Sequence, residues 1–211
     1  VGSRERRARQ RAETRKMILE AARELFVSVG YEGTTMRAIA ERIEYTPTAI
    51  YHHFRNKQAL LAELCRADLT PLLTAMECID AVADPVERLR RLCEAYVSFG
   101  LTHPMHYQLM FMTRLPKTDD ADAIPSDPLE NTYRLLCDTC AAVIESGQVH
   151  PEFTDPEELA QMLWSAMHGV LALHIVKKEG AKIEWRDPHA AAIRLRDSLL
   201  RGLLSGAPAT S

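Results

Sequence analysis

Apolar side chains recur every three or four positions along most of the chain. Near the start, Met17, Ile18, Ala21, Ala22, Leu25, Phe26 and Val29 mark one helical face, and Gly30 stands where that helix would close. A second short helix is expected after Thr34 or Thr35, burying Ile39, Ala40 and Ile43, and a third after Thr46. A fourth begins at Asn56-Lys57 and carries Leu60, Leu61 and Leu64. Further on, Asp-Pro pairs at 84–85, 127–128, 155–156 and 187–188 each precede a helical period. Aspartate accepts from free N–H groups at an N-cap, and proline is preset for the first helical position. Glu87, Glu130 and Glu158 follow three residues after their aspartates, the spacing of a capping box. The long helices expected from these starts span 85–102, 128–146, 156–179 and 188–205, with Gly147, Gly180 and Gly206 placed for C-caps. Pro104 sets off a short helix over 105–112, and the polar, Pro-bearing stretch 114–127 reads as a loop. Nothing alternates with the period of a strand. The expected fold class is all-α, with an N-terminal three-helix helix-turn-helix domain over 1–62 and a helical bundle over 63–211.

Composition narrows this picture. With 211 residues and 46% apolar side chains the chain can bury a core without staples. Its five cysteines, irregularly spaced, suggest reduced thiols rather than a disulfide framework. The longest apolar stretch, 163–176, is expected to be too short for a membrane span and contains His168 and His174. A cytoplasmic protein is expected. Charge is uneven: residues 1–66 carry a net +5 and residues 67–211 a net −8, against −3 overall. Arg4, Arg6, Arg7, Arg9, Arg11, Arg15 and Lys16 make the N-terminal arm basic. Such an arm suits a phosphate backbone, since each neutralised phosphate releases counterions; a solvated terminus has the same composition.

Candidate chemistry concentrates in residues 34–57, TTMRAIAERIEYTPTAIYHHFRNK. A short helix, a turn at Glu44-Tyr45 and a second short helix started by Thr46-Pro47 have helix-turn-helix spacing. Ile39, Ile43, Ile50 and Phe54 would pack the pair, leaving Pro47, Thr48, Tyr51 and His52 outward on a stretch without acids. A recognition helix sets such side chains against base edges. His53 fits a packing role equally well. Residues 12–62, with LFVSVGYEGTT, IAERI and TAIYHHFRNKQALL, resemble the TetR family of transcription regulators. The resemblance implies that Arg37 reaches a base or phosphate, that Thr46, Pro47, Thr48 and His52 meet the major groove, and that Tyr51 and Lys57 hold phosphates. It implies a sequence-specific regulator of double-stranded operator DNA. One position departs from the family pattern: Glu44 occupies a turn site usually held by Gly, which invites strain if its φ is positive.

The remaining chain would supply the dimer, because two copies of such a motif bind half-sites about 34–36 Å apart. The helix at 156–179 is apolar on more than one face, and the one at 188–205 offers Ile193, Leu195, Leu199, Leu200, Leu203 and Leu204. In TetR-like proteins these two helices pair with their mates, which implies a homodimer through 156–179 and 188–205. Trp164-Ser-Ala-Met-His168-Gly169, with HPMHYQLMF from His103, resembles the WHG subtype of TetR C-terminal domain. That resemblance implies a largely apolar small-molecule effector that releases the repressor. Its expected contacts are Phe99, His103, Tyr107, Met110, Met162, Trp164, Met167 and His168; ordinary core packing is the competing reading for each.

Other chemistries are weaker. Cys137-Asp-Thr-Cys140 is a single CxxC within an expected helix, open to a redox or metal sensor but without a partner pair. An activator of the same family is a further alternative to a repressor. No nucleophile elbow, phosphate-binding glycine loop or zinc-hydrolase spacing occurs. Neither an enzyme, a resident metal nor a cofactor is expected.

Overall fold

A computed structural model describes residues 2–79, 81–113, 128–177 and 182–205. Within them run α1 (Ser3–Gly33), α2 (Met36–Arg42), α3 (Pro47–Tyr51), α4 (Lys57–Ile79), α5 (Pro85–Thr102), α6 (Pro104–Phe111), α7 (Pro128–Glu145), α8 (Pro156–Lys177) and α9 (Pro188–Leu203). No strand occurs among the described residues, only an isolated bridge between Val149 and Leu204. The all-α class read from the sequence is the observed one.

The starts are chemical. Thr35 accepts from the Ala38 N–H at 3.0 Å, Asp84 from Val86 at 3.1 Å, Asp155 from Glu157 at 2.9 Å and Asp187 from His189 and Ala190. Asp127, the expected loop 114–127, Gly180 and Gly206 lie outside the described residues. One expected capping box is not formed as such: Glu87 turns to Arg91 at 2.8 Å, an i,i+4 ion pair, and Glu130 pairs with Arg134 at 3.3 Å at the same spacing. Helix ends also differ. Gly30 takes φ 79°, ψ 167°, but helical turns resume to Gly33, so it kinks α1 instead of closing it. The last helix stops at Leu203, short of 205, because Leu204 turns extended to meet Val149. Gly147 adopts φ 70°, the left-handed turn foreseen after α7.

Contacts divide the chain into two compact units, 1–68 with 105–125 and 69–104 with 126–211. The first unit runs to Asp68, where the sequence suggested a boundary at 62, and includes Met105–Phe111 of α6. That unit buries Ile18, Ala22 and Phe26 of α1, Ile39 of α2, Ile50 of α3, Leu60 and Leu64 of α4 and Leu109 of α6. Met17 and Val29, read from the sequence as part of the α1 face, are 39% and 56% exposed at its margins. Arg23 of α1 grips Asp68 of α4 through two hydrogen bonds, 2.8 and 2.6 Å, and His106 Nδ1 of α6 lies 3.1 Å from the same carboxylate. Burial pushes that carboxyl up, but the hydrogen bonds from His106 and Arg23 and their charge hold it below its ordinary value.

In the second unit α5 packs on α7, α8 and α9, and α8 on α7 and α9. Val86, Leu89, Cys140, Val143, Leu159, Leu163 and Leu200 form its centre. Arg196 of α9, nearly buried, donates to the Arg90 carbonyl at 3.1 Å and pairs with Asp197 at 2.9 Å. α8 is 22 residues long and contains an 18-residue stretch of mean hydropathy 1.4, a length and composition shared by membrane-spanning helices and by the core helices of helical bundles. It buries a single stripe, Leu159, Leu163, Met167 and Leu171, on its neighbours. Met162, Leu173 and Val176 are exposed at 38%, 55% and 46%.

Candidate nucleic-acid interface and effector region

The turn between α2 and α3 closes by backbone alone. The Glu44 N–H donates to the Glu41 carbonyl at 3.2 Å and that of Tyr45 to Ala40 at 2.9 Å, the paired bonds of a Schellman motif. This geometry needs a left-handed residue, and Glu44 supplies it with φ 58°. The strain anticipated from a side chain at this site is therefore present.

Thr46 then caps α3 by accepting from the Ala49 N–H at 3.3 Å, and Pro47 takes the first helical position. Ile50 is fully buried and Phe54 nearly so, which sets the helix azimuth. Pro47, Thr48, Tyr51 and His52 are left exposed, Tyr51 at 53%, and no acid occurs between Pro47 and Phe54. Arg15, which the sequence alone did not single out from the basic arm, braces this unit. Its guanidinium lies 4.3 Å from the centroid of the Phe54 ring, donates to the His53 carbonyl at 3.0 Å and pairs with Glu63 at 2.9 Å. Arg37 is exposed on α2, its Nε held by Glu41 at 2.8 Å, and that hydrogen bond raises its proton affinity further. An exposed pair of this kind is worth little, so Arg37 can exchange it for another anion.

Lys57 behaves differently from expectation. Its ammonium donates to the carbonyls of Tyr31 at 2.7 Å and Thr34 at 2.9 Å and sits 4.1 Å from the Tyr31 ring centroid. Two of three hydrogens are thus spent joining α4 to the end of α1. One of the free N–H groups at the start of α4 is also used, since Asn56 Oδ1 accepts from Ala59 at 2.7 Å. The reason is tertiary: the Thr34 carbonyl lies beyond the helix ladder, and that of Tyr31, which also accepts from the Thr34 N–H at 3.2 Å, has a second lone pair for the ammonium.

The expected effector contacts do not form one group. Tyr107 and Met110, both buried, belong to the unit that holds the helix-turn-helix, where Tyr107 stacks on Phe111 at 4.8 Å. In the second unit Phe99 and His103 meet with ring centroids 5.4 Å apart. Trp164 Nε1 donates to the Tyr96 hydroxyl at 2.9 Å, and that hydroxyl lies 3.4 Å from His168 Nδ1. Burial lowers the proton affinity of His168, so the neutral ring is favoured. Met167 is buried, but Met162 is not: it opens onto a surface hollow with Asp155, Glu157, Glu158, Gln161 and Ser165. α8 turns positions 159, 163 and 167 inward and leaves Met162 at the margin of that stripe. Tyr96 was missed from sequence; its one signal was a lone tyrosine one turn before Phe99.

Burial pushes the thiols of Cys93, to about 12, and of Cys137 and Cys140 upward, away from the reactive thiolate. Among the described residues no group of three His, Cys, Asp or Glu side chains could hold a metal ion.

Comparison with known proteins follows this architecture. Residues 18–64 match the profile of bacterial regulatory proteins of the tetR family, and residues 89–199 that of the tetracyclin repressor-like C-terminal domain. The HTH-type transcriptional repressor Rv1474c of Mycobacterium tuberculosis is 30% identical over 174 residues, 72% of this chain and 90% of the relative. The HTH-type transcriptional repressor KstR2 of the same species is 32% identical over 144 residues, 64% of this chain and 68% of the relative. Its solved structure, described as a ketosteroid transcriptional regulator, superposes with a TM-score of 0.67 at 21% identity, covering 91% of this chain and 95% of that one. A tetR-family regulatory protein from Rhodococcus RHA1 superposes with a TM-score of 0.71 at 24% identity, covering 90% and 96%.

Proposed function

The chain belongs to the TetR family of bacterial transcription regulators, and we propose that it is a homodimeric repressor released from its operator by a small, largely apolar molecule. The observation that carries the DNA half is the reading face of α3. Buried Ile50 and capping Thr46 fix its direction, while Pro47, Thr48, Tyr51 and His52 stand clear of protein and of acids. Thr46, Pro47, Thr48 and His52 meet base edges in the major groove, Arg37 reaches a base or phosphate from α2, and Tyr51 holds a phosphate. Lys57 acts behind this surface as a brace, with one hydrogen left for solvent or DNA.

The effector half rests on the second unit. Tyr96, Trp164 and His168 form a small polar constellation in a unit that also buries Met167 and Phe99, the mixture that orients an otherwise apolar ligand. The resemblance to KstR2, a ketosteroid transcriptional regulator, supports the apolar class. The effector acts by binding one conformer better than the other, and its effect is bounded by that difference. A regulator acting on operator DNA works in the cytoplasm, which supports the same location for this chain. The exposed face of α8, with Leu173 and Val176, and α9 form the homodimer seam.

The test is operator selection from a random duplex pool with the full chain, then displacement by a library of steroids, fatty acids and acyl thioesters. A selected palindrome released by one of these compounds is the expected result. Release that persists in Tyr96→Phe and Trp164→Phe variants at unchanged dose would remove the assigned effector site. Release that depends on oxidant and vanishes in Cys137→Ser with Cys140→Ser would favour a thiol sensor instead.

A further inference from the structure

α3 is five residues long, under two turns, and a helix of that length does not hold itself in water. Its start is fixed locally, by the Thr46 cap and by Pro47. Its end is not. The N–H groups of His53 and Phe54 both turn back to the Ile50 carbonyl, at 2.9 and 3.0 Å, and the His53 carbonyl lies past the last rung of the ladder. Ile50 and Phe54 bury one side and fix rotation about the axis. Apolar packing has no direction of its own, so the tilt of a helix about 7.5 Å long stays soft under it.

Arg15 of α1 supplies the missing direction. Its Nη1 donates to the His53 carbonyl at 3.0 Å, and its guanidinium lies over the Phe54 ring, 4.3 Å from the centroid. The fork is itself held from α4: Nε and Nη2 reach one oxygen of Glu63 at 3.3 and 2.9 Å, and the other oxygen pairs with Arg66 at 3.2 Å. Three elements thus meet at one guanidinium. A lysine could not serve all three, since an ammonium has neither plane nor fork. By composition Arg15 belongs with the basic arm, yet a turn toward a phosphate would break the ring, carbonyl and carboxylate contacts together.

We infer that Arg15 is a positioning residue for operator recognition: through the His53 carbonyl and the Phe54 ring it sets the tilt of the far end of α3, and with it the base pair that His52 reads. The inference rests on the operator-binding reading, in which His52 meets a base edge, and it needs no contact between Arg15 and DNA. His52 immediately precedes the held carbonyl, so its exposed ring moves with it. Thr48 stands four residues earlier, beside the Thr46 cap, and moves least. Hydrogen bonds weaken steeply with angle, so a tilt at the far end loosens discrimination there first.

The test compares full chains of the wild type, Arg15→Met, Arg15→Lys, Glu63→Gln and His52→Ala on the selected operator and on each of its single-base-pair variants. Fluorescence anisotropy gives the affinities, and discrimination at each position is a ratio of two of them. Such a ratio does not depend on the folded fraction; Glu63→Gln, the milder change, decides the matter if Arg15→Met does not fold. His52→Ala marks the positions that His52 reads. Arg15→Met should lose about tenfold discrimination at those positions, the scale of one base contact, and keep it where Thr48 reads. Added to His52→Ala it should lose little more there, because both act on one contact. Arg15→Lys keeps the charge without the fork and should lose discrimination at the same positions. Glu63→Gln removes an acid, which by charge alone favours every duplex equally; positioning predicts weaker discrimination at the His52 positions instead.

The slope of log affinity against log salt, read between about 50 and 200 mM, should stay at the wild-type value in Arg15→Met. A slope shallower by about 0.9 makes Arg15 a phosphate ligand and overturns the proposal. Affinity lost equally on all duplexes, the mark of a merely structural brace, also overturns it, as does a His52→Ala variant that changes no position. A wild type that selects no operator fails the regulator reading itself. One that selects sharply, while Arg15→Met keeps the His52 positions, fails this inference alone.

Discussion

Lys57 Nζ lies 2.7 Å from the carbonyl oxygen of Tyr31 and 4.1 Å from the centroid of the same residue's ring. One lysine thus satisfies the frayed end of α1 and covers its aromatic side chain, while a second carbonyl, of Thr34, takes another hydrogen at 2.9 Å. Lys57→Met should lower unfolding free energy by about 2 kcal/mol, since hydrogen bonds to charged donors are worth about 1.5–3 kcal/mol each and this one is partly solvated. Urea titration reads the loss. The salt slope of operator binding should stay at the wild-type value; a slope shallower by about 0.9 would restore a phosphate role to Lys57.

Glu44 holds φ 58° in a turn whose two backbone bonds leave no other conformation open. A side chain in the left-handed region costs roughly 1–2 kcal/mol relative to Gly. Glu44→Gly should therefore raise stability by about 1 kcal/mol after the extra freedom of Gly in the unfolded chain is counted. Operator affinity should also rise because an acid leaves the DNA-facing surface. Thermal unfolding and anisotropy test the two effects separately, and a lower melting temperature would show that the turn is not strained.

Asp68 is 1% exposed and faces Arg23, itself only 13% exposed. Removing the acid in Asp68→Ala strands a nearly buried cation and should cost about 3–5 kcal/mol. The pH dependence follows from its depressed carboxyl. Its stabilisation is fully present above the unfolded carboxyl value of about 3.9 and is lost as pH falls through the lower folded value. Asp68→Asn should flatten the acid limb of stability below about pH 4. An unchanged acid limb would show that other carboxylates control it.

Thr48 is exposed on α3 and engages no partner among the described residues. Thr48→Ala should leave stability within about 0.5 kcal/mol. It should relax preference at one operator position, worth about 1–3 kcal/mol of discrimination. Selection repeated with the variant would read this as one position per half-site losing information; an identical preference would remove Thr48 from the reading set.

Leu173 and Val176 are more than two-fifths exposed on α8. Leu173→Glu with Val176→Glu should keep each chain folded and shift sedimentation from dimer to monomer. Operator affinity should then collapse, because one motif spans only one half-site. A variant that remains dimeric would move the seam off this face.

The parts legible without coordinates were those written locally. Thr35, Thr46, Asp84, Asp155 and Asp187 each cap within three residues of themselves, so the helix starts, the motif and the all-α class could be read along the chain. Periodicity likewise placed Ile39, Ile50 and Leu60 inside. Tertiary structure alone decided the partners far apart in sequence. Lys57 could face DNA or the end of α1 by helical phase, and only the position of Tyr31 turned it inward. Asp68 and His106 meet although 38 positions apart, as do Tyr96 and Trp164 at a separation of 68, because packing sets helix azimuth and periodicity does not. The same reason divided the expected effector residues, placing Tyr107 and Met110 in one unit and Trp164 and His168 in the other. A cap needs only its neighbours; a partner on another helix exists only once the core has fixed which way each helix turns.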